Sequence, residues 1–132
     1  MSNESLRAWY RRYNELCNAH RFEELDAFVA PDVVVNGQPQ GLGGYVAGLQ
    51  AVVEAFPDYR WDLRHLVVEG PWIAAHFVDT GTHRGTYRGV APTGRPVTTQ
   101  EFAMYRVEGD RIVEVWVTAD NAPLLDPGGT AD

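Results

Sequence analysis

The sequence predicts an α+β domain, because helical periodicities crowd its first half and strand-like runs fill the second. Three observations carry this. Apolar residues recur at spacings of three and four up to residue 56. Four long runs rich in β-branched and aromatic residues follow. Short Gly- and Pro-bearing turns separate most of those runs, as antiparallel hairpins require. At 132 residues the chain is of single-domain size, with an expected core over about residues 5–125. A sheet of this kind can roll partway around the helices and leave a cavity at its wide end, the default place to look for function.

Residues 4–19 read as a helix with Leu6, Trp9, Tyr13, Leu16 and Cys17 on one stripe and Ser5 or Asn3 as cap. Residues 22–29 read as a second, short helix with Phe22, Leu25, Phe28 and Val29 inward, ended by Pro31. Residues 32–36 form a short strand. Residues 37–44, with the GLGG run, read as a loop forming a flexible lip. Residues 45–56 are helical, with Val46, Leu49, Val52, Val53 and Phe56 inward, and Pro57-Asp58 stops them. Strands are expected at 59–69, 72–85, 96–108 and 111–121, and the DPGGTAD tail is expected to fray.

The net charge of −7 and the lack of a basic stripe argue against a nucleic-acid partner. All eleven basic residues are arginines, so no lysine is present for Schiff-base chemistry or a phosphate loop. The serines are Ser2 and Ser5, and no GxSxG occurs, which removes a serine nucleophile. Cys17 falls in a helical stripe and reads as a packing residue. Four histidines occur without HxH or HExxH spacing, so no metal site is expected. With no apolar run of spanning length and no signal-peptide pattern, no membrane role is expected and the cytoplasm is the default compartment.

The last strand places Trp116, Thr118 and Asp120 on one face and Val113, Val115, Val117 and Ala119 on the other. Both faces therefore look covered. The Trp-Thr-Asp face is expected to line the cavity, with the aliphatic face against a second subunit. An Asp120 against apolar walls would have its pKa raised, as suits a general acid or base; the bland alternative leaves it exposed at a strand end. On the strand 72–85, Ala75, Phe77, Asp79, Gly81 and His83 share a face, opposite Ala74, His76 and Val78. His83 and His76 are proton-exchange candidates, each weighed against a structural role. Glu101 shares a face with Thr99, Ala103 and Tyr105, and is either a second pocket carboxylate or the partner of Arg106 or Arg88. Asn36 and Tyr13 are candidate hydrogen-bond donors to substrate, and Trp116 is a wall residue.

The ordered set AFPDYR (55–60), DTGTHRGTYRGVAPTGR (79–95), YRVEGDRIVEVW (105–116) and Asp120 resembles the SnoaL-like polyketide cyclases, of the nuclear-transport-factor-two-like superfamily, over about residues 5–125. The resemblance implies a cone-shaped barrel, a strongly curved, mainly antiparallel sheet wrapped around the N-terminal helices with the pocket inside, and commonly a homodimer. It implies cofactor-independent ring closure of a small apolar, polyketide-like carbonyl substrate. Asp120 matches the family's acid/base aspartate, His83 the GTH histidine, and Asn36 a polar pocket position. His76 and Ala103 depart from the family pattern, which bears on the substrate; an EGP turn in place of EGD is a third departure, and it does not bear on the pocket. Two rival readings stand beside this one: epoxide opening by paired carboxylates, using Asp120 with Glu101 or Asp79, and a non-catalytic small-molecule-binding module.

Overall fold

Helix α1 (Asn3–Asn18) forms where Leu6, Trp9, Tyr10, Tyr13 and Cys17 fall on one face, and all five are buried. Ser2, not the expected Ser5 or Asn3, caps it by accepting from the Ser5 N–H at 3.0 Å. The second helix is a six-residue 3-10 helix, Phe22–Ala27. The chain passes directly into β1 (Val29–Val35), so Pro31 lies inside a strand instead of closing a helix. The proline is tolerated there because β1 is an edge strand whose register on its neighbour shifts between Val29 and Val34. Helix α2 (Gly41–Ala55) starts earlier than expected, and the GLGG run is its first turn, not a free lip.

The remaining strands match the expected runs closely: β2 (Arg60–Glu69), β3 (Trp72–Thr82), β4 (Pro96–Glu108) and β5 (Arg111–Ala119). This computed structural model describes residues 1–120 and 122; the expected end of the last strand at residue 121 and the tail after Leu125 lie outside them. The five strands run in the order β1-β5-β4-β3-β2, antiparallel except for β1 with β5. The sheet is open, with β1 and β2 as its edges, rather than a closed barrel. Helix α1 packs beside β2 and α2 beside β1, so both helices cover one face.

That covered face carries Ile73, Ala75, Phe77 and Asp79 from β3, Val97, Thr99, Ala103 and Tyr105 from β4, and Ile112 and Val115 from β5, all buried. The assignment of faces on β5 is the reverse of the one expected. From Glu114 onward the alternation is as read, but Tyr105 pairs with Val115 and Ala103 with Val117, which draws those valines inward; a register shift before it puts Ile112, in place of Val113, on the same face. Trp116 and Thr118 lie opposite Met104 and Phe102 on the outer face, and Trp116 is 44% exposed.

Beyond β3 the chain presses against the end of α2, where the N–H groups of Arg84 and Gly85 both donate to the Ala55 carbonyl, at 2.8 and 3.0 Å. A Cβ on Gly85 would lie 2.7 Å from the Glu54 carbonyl oxygen and 3.1 Å from Ala55 Cα. These are backbone atoms, so the clash is relieved only by moving the helix end. Gly85→Ala is expected to cost about 1–3 kcal/mol, as overpacking does. A urea midpoint equal to that of wild type would show that this close approach is not required.

Candidate active site

The space between the helices and the inner sheet face is a cleft of about 340 Å³ lined by Leu49 and Val52 of α2, Tyr59 and Trp61 leading into and on β2, Tyr87 and Arg88 of the β3–β4 loop, and Glu101. Asn36, Val117, Thr118 and Ala119 complete it. Its size falls in the range of small-molecule sites. A smaller void of about 30 Å³ continues inward past Leu49, Trp61 and Glu101 to Tyr13, Asn14, Cys17, Tyr45, Phe77 and Tyr105. Glu101 borders both spaces.

The β3–β4 register pairs Asp79 with Thr99 and Phe77 with Glu101, which sets the two carboxyls diagonally beside each other on the inner face. Asp79 is fully buried, and its Oδ2 accepts from the Tyr59 hydroxyl at 3.0 Å. Its Oδ1 has no other hydrogen-bond partner among protein donors. Burial, and then the hydrogen bond and negative charge of Glu101, push the Asp79 carboxyl up to about 10. Asp79 therefore holds a proton at neutral pH. Among the described residues Glu101 forms no ion pair with either expected arginine: Arg106 pairs with Glu108 and Glu114, and Arg88 with no carboxylate.

At the inner end, the hydroxyls of Tyr13 and Tyr45 form a short hydrogen bond. Desolvation raises both, and each stays neutral. Two hydroxyl protons serve one bond between them, so the pair retains one O–H to offer a bound oxygen. Burial pushes the Cys17 thiol up to about 12, which keeps it a neutral packing residue as expected.

The other sequence candidates divide between three places. Asn36 sits at the rim, its Oδ1 accepting from the Val117 N–H at 2.9 Å while its amide NH₂ stays available. Thr118 lies at the same rim, exposed. His76 and Trp116 belong to the outer face, which corrects their expected place in the interior. His76 stacks on Phe102, hydrogen-bonds His65 at 3.0 Å and Gln100 at 2.6 Å, and the Trp116 indole donates to Glu114. His83 is fully buried beneath the β3–β4 loop, stacked on Phe56 at 5.1 Å, and does not line the cleft. Asp120 is exposed just past β5. Its N–H donates to the Gln100 carbonyl at 3.0 Å, its own carbonyl accepts from Thr99, and its carboxylate accepts from the Ala122 N–H at 3.2 Å. Among the described residues no group of three or more His, Cys, Asp or Glu side chains converges as a metal site, and no helix is long and apolar enough to cross a membrane.

The family profile of the SnoaL-like polyketide cyclases matches residues 7–126. The chain belongs to the SnoaL-like polyketide cyclases. Among solved structures it is similar to IdmH of Streptomyces antibioticus, provisionally a polyketide cyclase, at 30% identity and a TM-score of 0.82, covering 93% of this chain and 97% of that one. It is similar also to a SnoaL-like polyketide cyclase from Agrobacterium tumefaciens, at 30% identity and a TM-score of 0.81, covering 90% and 94%. AclR of Streptomyces galilaeus, at 24% identity and a TM-score of 0.85, shares the fold, with 94% and 95% covered. No curated relative matches the sequence.

Within this SnoaL-like chain, sequence reasoning missed Tyr59 and Trp61 in the cleft and Tyr45 in the inner void. The alternation of Tyr59 and Trp61 was a usable signal. Pairing Asp79 with Glu101 was not, because the long β3–β4 loop hides the register.

The buried Asp79 proton has a measurable consequence. Between the ordinary carboxylate range near 4 and the raised value of about 10, the folded chain holds a proton that the unfolded chain has released. Stability from this group is therefore present at acid pH and lost as pH rises through that window, by up to about 1.4 kcal/mol per unit. Asp79→Asn keeps the shape without the charge. From pH 5 to 9 it is expected to gain steadily in chemical-denaturation stability relative to wild type. Parallel pH profiles for the two proteins would rule the buried proton out.

Proposed function

We infer that this chain catalyses a cofactor-independent, acid/base ring closure or isomerisation of a small, largely apolar carbonyl compound held in the cleft. The observation that carries the reading is a carboxylate at the wall of a cleft of mixed aliphatic, aromatic and polar lining, with a protonated carboxyl beside it. In this mechanism Glu101 takes a proton from carbon next to a carbonyl. The enolate oxygen receives a hydrogen bond from the Tyr13–Tyr45 hydroxyl pair. The enolate carbon then bonds to a second carbonyl carbon of the same molecule, and the alkoxide so formed recovers the proton from Glu101. Asp79 touches no substrate; held by Tyr59 on the inner face diagonally beside Glu101, it is a neutral neighbour that adds no second negative charge to the site. Confinement does the rest, since a folded substrate with its reacting carbons together can be worth about 7 kcal/mol or more.

Membership in the family supports cyclase-type chemistry, and the relatives' names support the substrate class. Asp120, which the resemblance suggests as acid/base, competes with Glu101 for the role. The exposure of Asp120 and the cleft position of Glu101 favour Glu101. Epoxide opening is the second reading, favoured by the adjacency of two carboxyls. It needs both within reach of substrate, whereas Asp79 stands behind Tyr59 and does not border the cleft. Glu101→Gln and Asp120→Asn, each tested with β-ketoesters and epoxy-alcohols by mass spectrometry, decide between these. Glu101→Gln is expected to lose about a hundredfold or more in turnover, as loss of an acid/base group does, and Asp120→Asn to stay within a few-fold of wild type. The reverse ranking moves the role to Asp120, turnover of epoxides alone favours the second reading, and turnover of neither class by wild type favours a binding module.

The outer sheet face supports a homodimer. Val67, Phe102, Met104 and Trp116 are its exposed large apolar side chains, grouped around a groove of about 490 Å³ with Ala74 and His76. An apolar patch of this kind on a chain with net charge −7 suits a second copy meeting it through the same surface. Light scattering at micromolar concentration is expected to give twice the chain mass, and Phe102→Asp to give the monomer. A monomeric wild type would remove this reading.

A further inference from the structure

The mouth of the cleft is built by two tight turns of the same type. In one, Val35 and Gln38 exchange both backbone hydrogen bonds at 2.9 Å around Asn36 (φ +50) and Gly37 (φ +79). In the other, Tyr87 and Val90 do so at 3.0 and 2.9 Å around Arg88 (φ +49) and Gly89 (φ +82). Positive φ at both central residues marks a type I′ turn, for which Asn-Gly is the favoured pair. The first turn has that pair. The second holds an arginine in the left-handed conformation that asparagine or glycine adopts at less cost. Strain of this kind points to a side chain required at that spot.

The Arg88 guanidinium lies 5.5 Å from the centre of the Tyr87 ring, so a buried aromatic face holds it at the rim. It takes part in none of the ion pairs among the described residues, which engage Arg21, Arg64, Arg106 and Arg111. The cleft is thus polarised. Its inner wall carries Glu101 with a protonated neighbour, its sides are apolar and aromatic, and its exposed lip carries a cation. A carboxylate would be repelled by Glu101 and drawn to the lip, while a neutral carbonyl end would be free to go inward.

We propose that Arg88 is the specificity determinant for substrates of the proposed reaction that bear a free carboxylate, binding that group at the mouth and so directing the carbonyl end to Glu101. The assignment rests on the cleft being the reaction site. An anionic substrate is otherwise disfavoured by a chain of net charge −7, so its capture depends on a local cation.

The test uses 2-naphthoate and 2-naphthamide, two flat apolar ligands of equal shape that differ by one charge. Binding is measured by calorimetry to wild type, Arg88→Gln and Arg84→Gln. Arg84 is exposed, sits in the same loop and does not line the cleft, so it controls for the change in net charge. Wild type and Arg84→Gln are expected to prefer the carboxylate about tenfold, a preference that 0.5 M salt reduces. Arg88→Gln is expected to lose the preference while binding the amide within twofold of wild type, which also shows that the variant is folded. Equal binding of both ligands by wild type, or equal loss in the two variants, overturns the role of Arg88 and leaves the catalytic reading standing. Failure of wild type to bind either ligand overturns the cleft as a ligand site, and the proposed function with it.

Discussion

Strand β4 is hydrogen-bonded along its length to β3 on one side and to β5 on the other, and the position of every chemically interesting side chain follows from that double register. Because side chains alternate, fixing Tyr105 inward fixes Ala103, Glu101 and Thr99 inward as well. Through β3 the same register brings Asp79 beside Glu101; through β5 it turns Val115 and Val117 into the core and Trp116 outward. A slip of one residue would put Glu101 on the outer face and Phe102 in the interior. The aromatic cluster of Tyr10, Tyr13 and Tyr105 resists that slip. Tyr10 donates to the Tyr105 hydroxyl at 2.9 Å, and ring centres lie 5.0 to 6.1 Å apart, so the polar tips stay satisfied only with Tyr105 facing α1.

Within that frame the electrostatics follow from burial. Two adjacent carboxylates in a tyrosine-lined interior cannot both be charged at acceptable cost, so one keeps its proton. The surrounding hydroxyls of Tyr10, Tyr13 and Tyr105 are raised further from ionisation by the same desolvation, which leaves a set of neutral donors around one carboxylate. Such a set fixes a carboxylate and neutral hydrogen-bond donors in place before any ligand arrives, the arrangement that the proposed chemistry would use. The result is a cleft with a carboxylate on its inner wall and Asn36, Arg88 and Thr118 at its mouth, separated by aliphatic and aromatic side chains.

Much of this was legible in the sequence. The apolar stripe of α1, the four long strands and the shared face of Ala75, Phe77, Asp79 and His83 all came from local periodicity. So did the shared face of Glu101 and Tyr105. What periodicity cannot supply is which face of a strand looks inward. On β5, two faces of Val-Val-Ala and Trp-Thr-Asp both look covered, and only pairing with β4 distinguishes them. Pro31 misled for a related reason, since a proline that ends helices is also tolerated on an edge strand, and edges are a property of the sheet. His83 occupies a family motif and yet packs on Phe56 away from the cleft, because β3 ends at Thr82 and His83 opens the loop that follows.

The division between the two sheet faces explains how one small domain holds both a cleft with inward-facing carboxyls and an exposed apolar surface. Wherever the inner face spends a position on Asp79, Thr99 or Glu101, the alternating position on the outer face is free to be Val78, Phe102 or another apolar residue. The departure from the family pattern at His76 lies outside, against His65 and Phe102, and so bears on what meets the sheet there, whereas Ala103 lies inside, next to Glu101 along β4. Ala103 does not itself line the cleft, whose walls beside Glu101 are Tyr59, Trp61 and Arg88. It is in those wall positions, which the backbone register leaves free, that members of one fold at 24 to 30% identity have room to differ.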